Sequence, residues 1–133
     1  MKIPYKLVKT GKEKPLLPVT LGNPKTGASQ RFYAPVDSGS DSCFFDYEYA
    51  EAIGLDVRKG KEGKIMGVVP GKWVTQYIHE IHIKFIGKRV TIEAGFVPGL
   101  SKHGFGILGQ NGFFDQVQSV TFEKQKGVFE VVL

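Results

Sequence analysis

An aspartate held between a strand and a glycine turn can do acid–base chemistry. This chain has one such stretch, Asp37-Ser38-Gly39-Ser40-Asp41-Ser42. The apolar run before it, Phe32-Tyr33-Ala34-Pro35-Val36, reads as a strand, so Asp37 is expected on a rigid strand end. A carboxylate there is costly to bury unless it is solvated or used. Ser38 adds a small hydroxyl, and Gly39 lets the backbone turn sharply and approach another group closely. An Asp-based hydrolase needs that junction, and an ordinary polar turn uses the same residue types.

A second stretch bears on the choice. Gly106-Ile107-Leu108-Gly109 is an apolar pair bracketed by glycines, and Gln110-Asn111-Gly112-Phe113-Phe114-Asp115 after it reads as the entry to a short helix. Between the two stretches, 64–74 reads as a hairpin with Pro70-Gly71 at the centre of a type II turn. Taken in order, Ala34 to Gly39, the glycine-bearing hairpin and Ile107 to Phe114 resemble the retropepsin-like aspartic proteases over about residues 14–133. The resemblance implies an all-β fold: a closed acid-protease barrel with one or two short helices and one flap hairpin. It also implies an aspartic endopeptidase acting on peptide or protein substrates without a cofactor.

Carboxylate-based peptide hydrolysis needs two carboxyl groups, one to take a proton from water and one to polarise the scissile carbonyl. Two carboxylates a hydrogen bond apart share one proton, for which aspartic proteases are the standard example. The chain carries a single Asp-Ser-Gly, so the second must come from a second copy, and a two-fold homodimer is expected. By resemblance, the catalytic set is Asp37, Ser38 and Gly39, with Ser38 bonding across the axis. The substrate contacts are Ser40, Asp41 and the flap residues Gly67, Val68, Val69 and Gly71. Ile107, Leu108 and Gly109 back the Asp37 loop. Three features depart from the family pattern. Ser40 stands where Ala is usual, Gln110 replaces an Arg that would pair with Asp41, and a terminal hairpin replaces a single terminal strand. The alternative reading is a catalytically silent dimer of the same fold that captures an extended segment by strand pairing.

The remaining elements are those of a small β domain. With 133 residues, a single domain is expected over residues 1–133, with residues 1–13 as a loose arm or edge strand. Seventeen glycines and seven prolines punctuate short runs rich in Val, Ile and Phe. Strands are expected at 16–21, 29–36, 77–85, 89–97 and 105–108, and a terminal hairpin at 119–123 and 128–132. A helix is expected over 46–53, with Tyr49, Ala52 and Ile53 on its apolar face and Gly54 as its stop. A helical turn is expected at 113–117. No apolar run approaches the roughly 20 residues of a membrane span. One cysteine, Cys43, forbids an internal disulfide and fits a reducing, cytoplasmic setting. The net charge of +5 comes from scattered lysines, densest at 58–64, which argues for a solvated loop and against nucleic-acid binding.

Several motifs are decoys. Gly104 to Gly109 spells G-x-G-x-x-G, but too little chain follows for a dinucleotide-binding half. Asp37, Asp41 and Glu48 approximate calcium-loop spacing, yet Gly39 is no ligand and Ser42 sits where glycine is required. His79 and His82, three apart on a strand, face opposite sides, so no metal is expected. Cys43 has no histidine that can be assigned to it and reads as a small buried hydrophobe.

Overall fold

Strand alternation divides these segments into an apolar and a polar face, and the sheets follow from that division. The computed structural model describes residues 1–67, 69–100 and 106–133. In chain order its elements are β1 (Lys2–Pro4), β2 (Lys6–Leu7), β3 (Glu13–Lys14), β4 (Leu16–Gly22), β5 (Ser29–Pro35) and β6 (Phe44–Asp46). Then come α1 (Tyr47–Ala52), β7 (Lys61–Met66), β8 (Trp73–Phe85), β9 (Lys88–Val97), β10 (Gly106–Ile107), β11 (Ser119–Glu123) and β12 (Val128–Val132). β4 sends Leu17, Val19 and Leu21 inward, and β8 sends Ile81, Ile83 and Phe85. These meet Phe45, Phe96, Leu108 and Phe113 in one core.

The main sheet runs β10-β6-β9-β8-β4-β5, with β7 beside β8. Only β6 and β9 pair parallel within it; the other strand pairs are antiparallel. The two ends of this path meet at a parallel bridge between Val36 and Leu108, which brings the Asp37 stretch beside the Gly106–Gly109 stretch. β1, β12 and β11 form a second sheet. Residues 2–4 are therefore an edge strand, not a loose arm, with Ile3 opposite Phe129.

The expected hairpin at 64–74 and strand at 77–85 prove to share one long strand. β8 pairs with β7 from Ile78 to Trp73 and with β9 from Tyr77 to Phe85. At the hairpin tip Lys72 N–H donates to the Val69 carbonyl at 3.3 Å, and Gly71 takes φ +81°, the positive angle a Pro-Gly type II turn requires. Val68, an expected substrate contact, lies outside the described residues. The β8–β9 turn uses Ile86 at φ 49°, an unfavourable angle for a β-branched residue, which packing against the core offsets.

The helix is shorter than its sequence span. Asp46 is the N-cap, its carboxylate accepting from Glu48 N–H at 2.9 Å, and Ile53 is the C-cap. Its buried side is Ala50 and Ile53, with Tyr49 stacked on Phe32 at 4.1 Å between centroids. Ala52 is exposed, contrary to the expected face. The turn expected at 113–117 is a single 3₁₀ turn at Phe114–Gln116, so no helix opens after Gly109 to receive a dinucleotide. Phe105, expected to begin a strand, lies outside the described residues, as do Ser101 to Gly104. No helix among the described residues is long and apolar enough to cross a membrane.

Candidate active site

Asp37 is fixed by its backbone. β5 runs on through Val36, whose N–H donates to the Pro15 carbonyl at 3.0 Å. Asp37 N–H donates to the Leu108 carbonyl, and Leu108 N–H to the Pro35 carbonyl, both at 2.9 Å. Leu108 is thus stitched to the strand end on both sides of Val36. Leu108 is fully buried, and Ile107 beside it is half-buried in β10. The carboxylate itself is solvated: Asp37, Ser38, Gly39 and Asp41 are all exposed in the chain, and Ser40 is half-buried. The cost of burying Asp37 is therefore not incurred.

The turn after Asp37 is an Asx turn. Gly39 N–H donates to Asp37 Oδ1 at 2.9 Å, which orients the carboxylate. Ser40 Oγ donates to the Ser42 carbonyl at 2.8 Å, closing the far side of the loop. The residue type at Ser40 thus has a local use that Ala lacks.

Gln110 and Asn111 supply what the sequence reading missed. The sequence reads Gln110 as the start of a helical entry and as a replacement for a cation, not as a donor to the Asp37 turn. In the structure its side-chain Nε2 donates to the Ser38 carbonyl at 2.7 Å, and its N–H donates to the Ser40 carbonyl at 2.8 Å. Asn111 donates twice to the Asp41 carbonyl, from its N–H at 2.9 Å and Nδ2 at 2.8 Å. An uncharged latch of four hydrogen bonds therefore joins the two motif loops. The Asp41 carboxylate has no ion pair among the described residues. The signal was available: a turn that lifts several carbonyls out of any ladder must find donors elsewhere, and two amide side chains follow Gly109.

The residues of the β7–β8 hairpin stand apart from this assembly. No hydrogen bond among the described residues joins Gly67, Val69 or Gly71 to the Asp37 loop. The hairpin exposes Met66, Val69, Trp73 and Val74, which together make an apolar surface.

Cys43 lies under the latch. It is fully buried, and Gly109 N–H reaches its sulfur at 3.4 Å. Burial pushes the thiol up to about 11, with the Gly109 contact opposing this and the Asp115 charge adding to it. At pH 8 about one molecule in a thousand would carry the thiolate that nucleophilic chemistry requires. Native protein at pH 8 is expected to react with a thiol reagent about 100-fold or more slowly than the denatured chain. Equal labelling rates in the two states would contradict the burial.

The histidines are engaged elsewhere. His79 Nε2 contacts the Val57 carbonyl at 2.8 Å, and His82 Nδ1 meets Thr91 Oγ1 at 3.0 Å. Among the described residues, no group of three or more His, Cys, Asp or Glu side chains is placed to hold a metal ion.

No protein-family model matches the sequence, and no curated protein matches it. Solved structures do match the fold. A retropepsin-like aspartic protease from Rickettsia conorii superposes with a TM-score of 0.67 at 16% identity, over 98% of this chain and 89% of its own. The chain has the retropepsin-like fold. EIAV protease in complex with the inhibitor HBY-793 superposes with a TM-score of 0.54 at 16% identity, over 81% of this chain and 88% of its own. The retropepsin-like likeness thus spans almost the whole chain, terminal hairpin included.

Proposed function

We propose that residues 1–133 form one retropepsin-like domain that hydrolyses peptide bonds as a homodimer, with water activated between two copies of Asp37. The observation that carries this reading is the latch. An exposed Asp-Ser-Gly turn is oriented by its own Asx bond and tied by Gln110 and Asn111 to the Gly109 loop. A solvated surface turn needs no such bracing, whereas a catalytic carboxylate must be held to within a fraction of an ångström. Ser38, Gly39, Ser40 and Asp41 are exposed or half-exposed, which leaves them free to meet a partner loop and a substrate backbone. In this reading, the Val36–Leu108 bridge closes the sheet into the family's barrel. The Met66, Val69 and Trp73 surface, with Gly67, Val68 and Gly71, covers the bound peptide.

Light scattering and peptide cleavage over one dilution series test the proposal together. The expected result is a two-subunit mass at high concentration, with activity per chain falling as the dimer dissociates. A dimer that cleaves no peptide in a broad library would instead favour the silent binding module. Cleavage by a particle that stays monomeric would overturn the shared dyad.

A further inference from the structure

The outer face of the main sheet carries a row of side chains that the proposed chemistry does not use. Register sets Arg31 opposite Thr20, Thr20 opposite Lys84, and Lys84 opposite Arg89. Directly paired residues share a face, so β5, β4, β8 and β9 present these four side chains in one line, about 4.8 Å from strand to strand. Their chain neighbours Val19, Leu21, Phe32, Ile83 and Phe85 point the other way, into the core. Three of the four are cations. Lys84 opposite Arg89 is a like-charge pair, which destabilises a ladder. Four residues along the same ladder and on the same face, Glu80 stands opposite Glu93. Both signs are thus present on this ladder, and the register keeps them apart.

β1 lies beside the cationic end and completes a cleft of about 540 Å³. Lys2, Thr20, Arg31 and Lys84 line it, between apolar walls that include Ile3 and Pro18. Among the described residues, no carboxylate lines this cleft, and neither Arg31 nor Lys84 has an ion pair. Lys2 faces Glu123 as well, but Lys126 already holds that carboxylate at 3.0 Å.

We propose that this cleft is an oxyanion site for a phosphoryl group, seated over the Thr20 hydroxyl between the Arg31 guanidinium and the Lys84 ammonium. Arg31 and Lys84 are two strand spacings apart, about 10 Å at the backbone, so both long side chains can converge on an anion between them. A guanidinium fork matches two phosphate oxygens, an ammonium adds a point charge, and the hydroxyl donates a further bond. Arg89 extends the charge by one more strand, and Lys2 caps the opposite wall. Three cations lining one cleft around a hydroxyl, with Arg89 a strand further out, suit a multivalent phosphate better than a single carboxylate. The site is remote from the chemistry: Arg31 precedes Asp37 by six residues of extended chain, about 20 Å. Its ligand bridges the terminal sheet and the main sheet, so occupancy should raise the melting temperature whether or not the chain is a protease.

Titration calorimetry with pyrophosphate tests this on the full chain. Saturable binding is expected, weakened about tenfold or more in the Arg31→Gln, Lys84→Gln double variant, with little change in melting temperature without ligand. Lys12→Gln with Lys59→Gln, exposed cations outside the cleft, should leave the affinity unchanged. Equal weakening by the two double variants would reduce the effect to net charge and overturn the site. Absence of binding at millimolar pyrophosphate would also overturn it, unless vesicles containing phosphatidic acid co-sediment the wild-type chain and not the Arg31→Gln, Lys84→Gln variant. That last outcome would assign the phosphoryl group to a lipid headgroup, whereas pyrophosphate binding without vesicle capture assigns it to a free phosphate.

Discussion

Asp37→Asn is expected to lower peptide cleavage by about a thousandfold or more while leaving the fold intact. The two halves of that result have separate physical origins. Activity falls because each amide fails to take a proton from water or to give one to the leaving amine. In a two-fold dimer one substitution removes both members of the dyad. Stability is retained because Asp37 is exposed and, among the described residues, its one side-chain hydrogen bond is accepted from Gly39 N–H at Oδ1. An asparagine carbonyl oxygen accepts the same bond. The check is a single-turnover cleavage assay beside a melting curve and a scattering mass for the same preparation. Unchanged cleavage would remove Asp37 from the catalytic centre. Lost cleavage with an unfolded or dissociated particle would leave the chemical role undecided, and activity in wild-type/variant heterodimers would then separate the two.

Sequence and structure agree best where a side-chain type has one physical use. Gly71 after Pro70 called for a positive φ and has one. The alternating runs at 16–21 and 29–36 emerge as the β4–β5 hairpin that delivers Asp37. Agreement fails where tertiary packing decides. Nothing local distinguishes Ala50 from Ala52 as the buried residue of α1; Tyr49 stacking on Phe32 sets the helix's rotation. The edge strand at 2–4 depends on β12, more than a hundred residues away, and short strands carry little periodicity of their own. In the candidate site, the strand end and turn that carry Asp37 were legible from the apolar run and Gly39. The latch was not, because Gln110 was judged by the cation it lacks and not by the carbonyls its loop leaves unpaired.

Gly109→Ala is expected to be the most disruptive single-methyl change near the site, with stability and activity falling together. A Cβ there would lie 2.6 Å from the Ser40 carbonyl oxygen and closer still to that of Ser42. Both are backbone atoms, and both are committed: Ser40 O accepts from Gln110 N–H and Ser42 O from Ser40 Oγ. The methyl can be relieved only by opening the latch. A cost of about 3 kcal/mol follows, or a fall in melting temperature on the order of 10 °C for a chain of this size. Two other glycines show that proximity alone does not set the penalty. A Cβ at Gly95 would also crowd a neighbour closely, but that neighbour is the amide end of Gln76, which can turn away, with the Phe44 ring next. Gly67 has nothing within 4 Å among the described residues, so Gly67→Ala should melt like the wild type. The order expected in thermal denaturation is therefore Gly109→Ala far below Gly95→Ala, and Gly95→Ala at or below Gly67→Ala. If Gly109→Ala melted with the wild type, the close crossing of the two motif loops would be wrong. The fixed geometry on which the proposed role of Asp37 rests would fail with it.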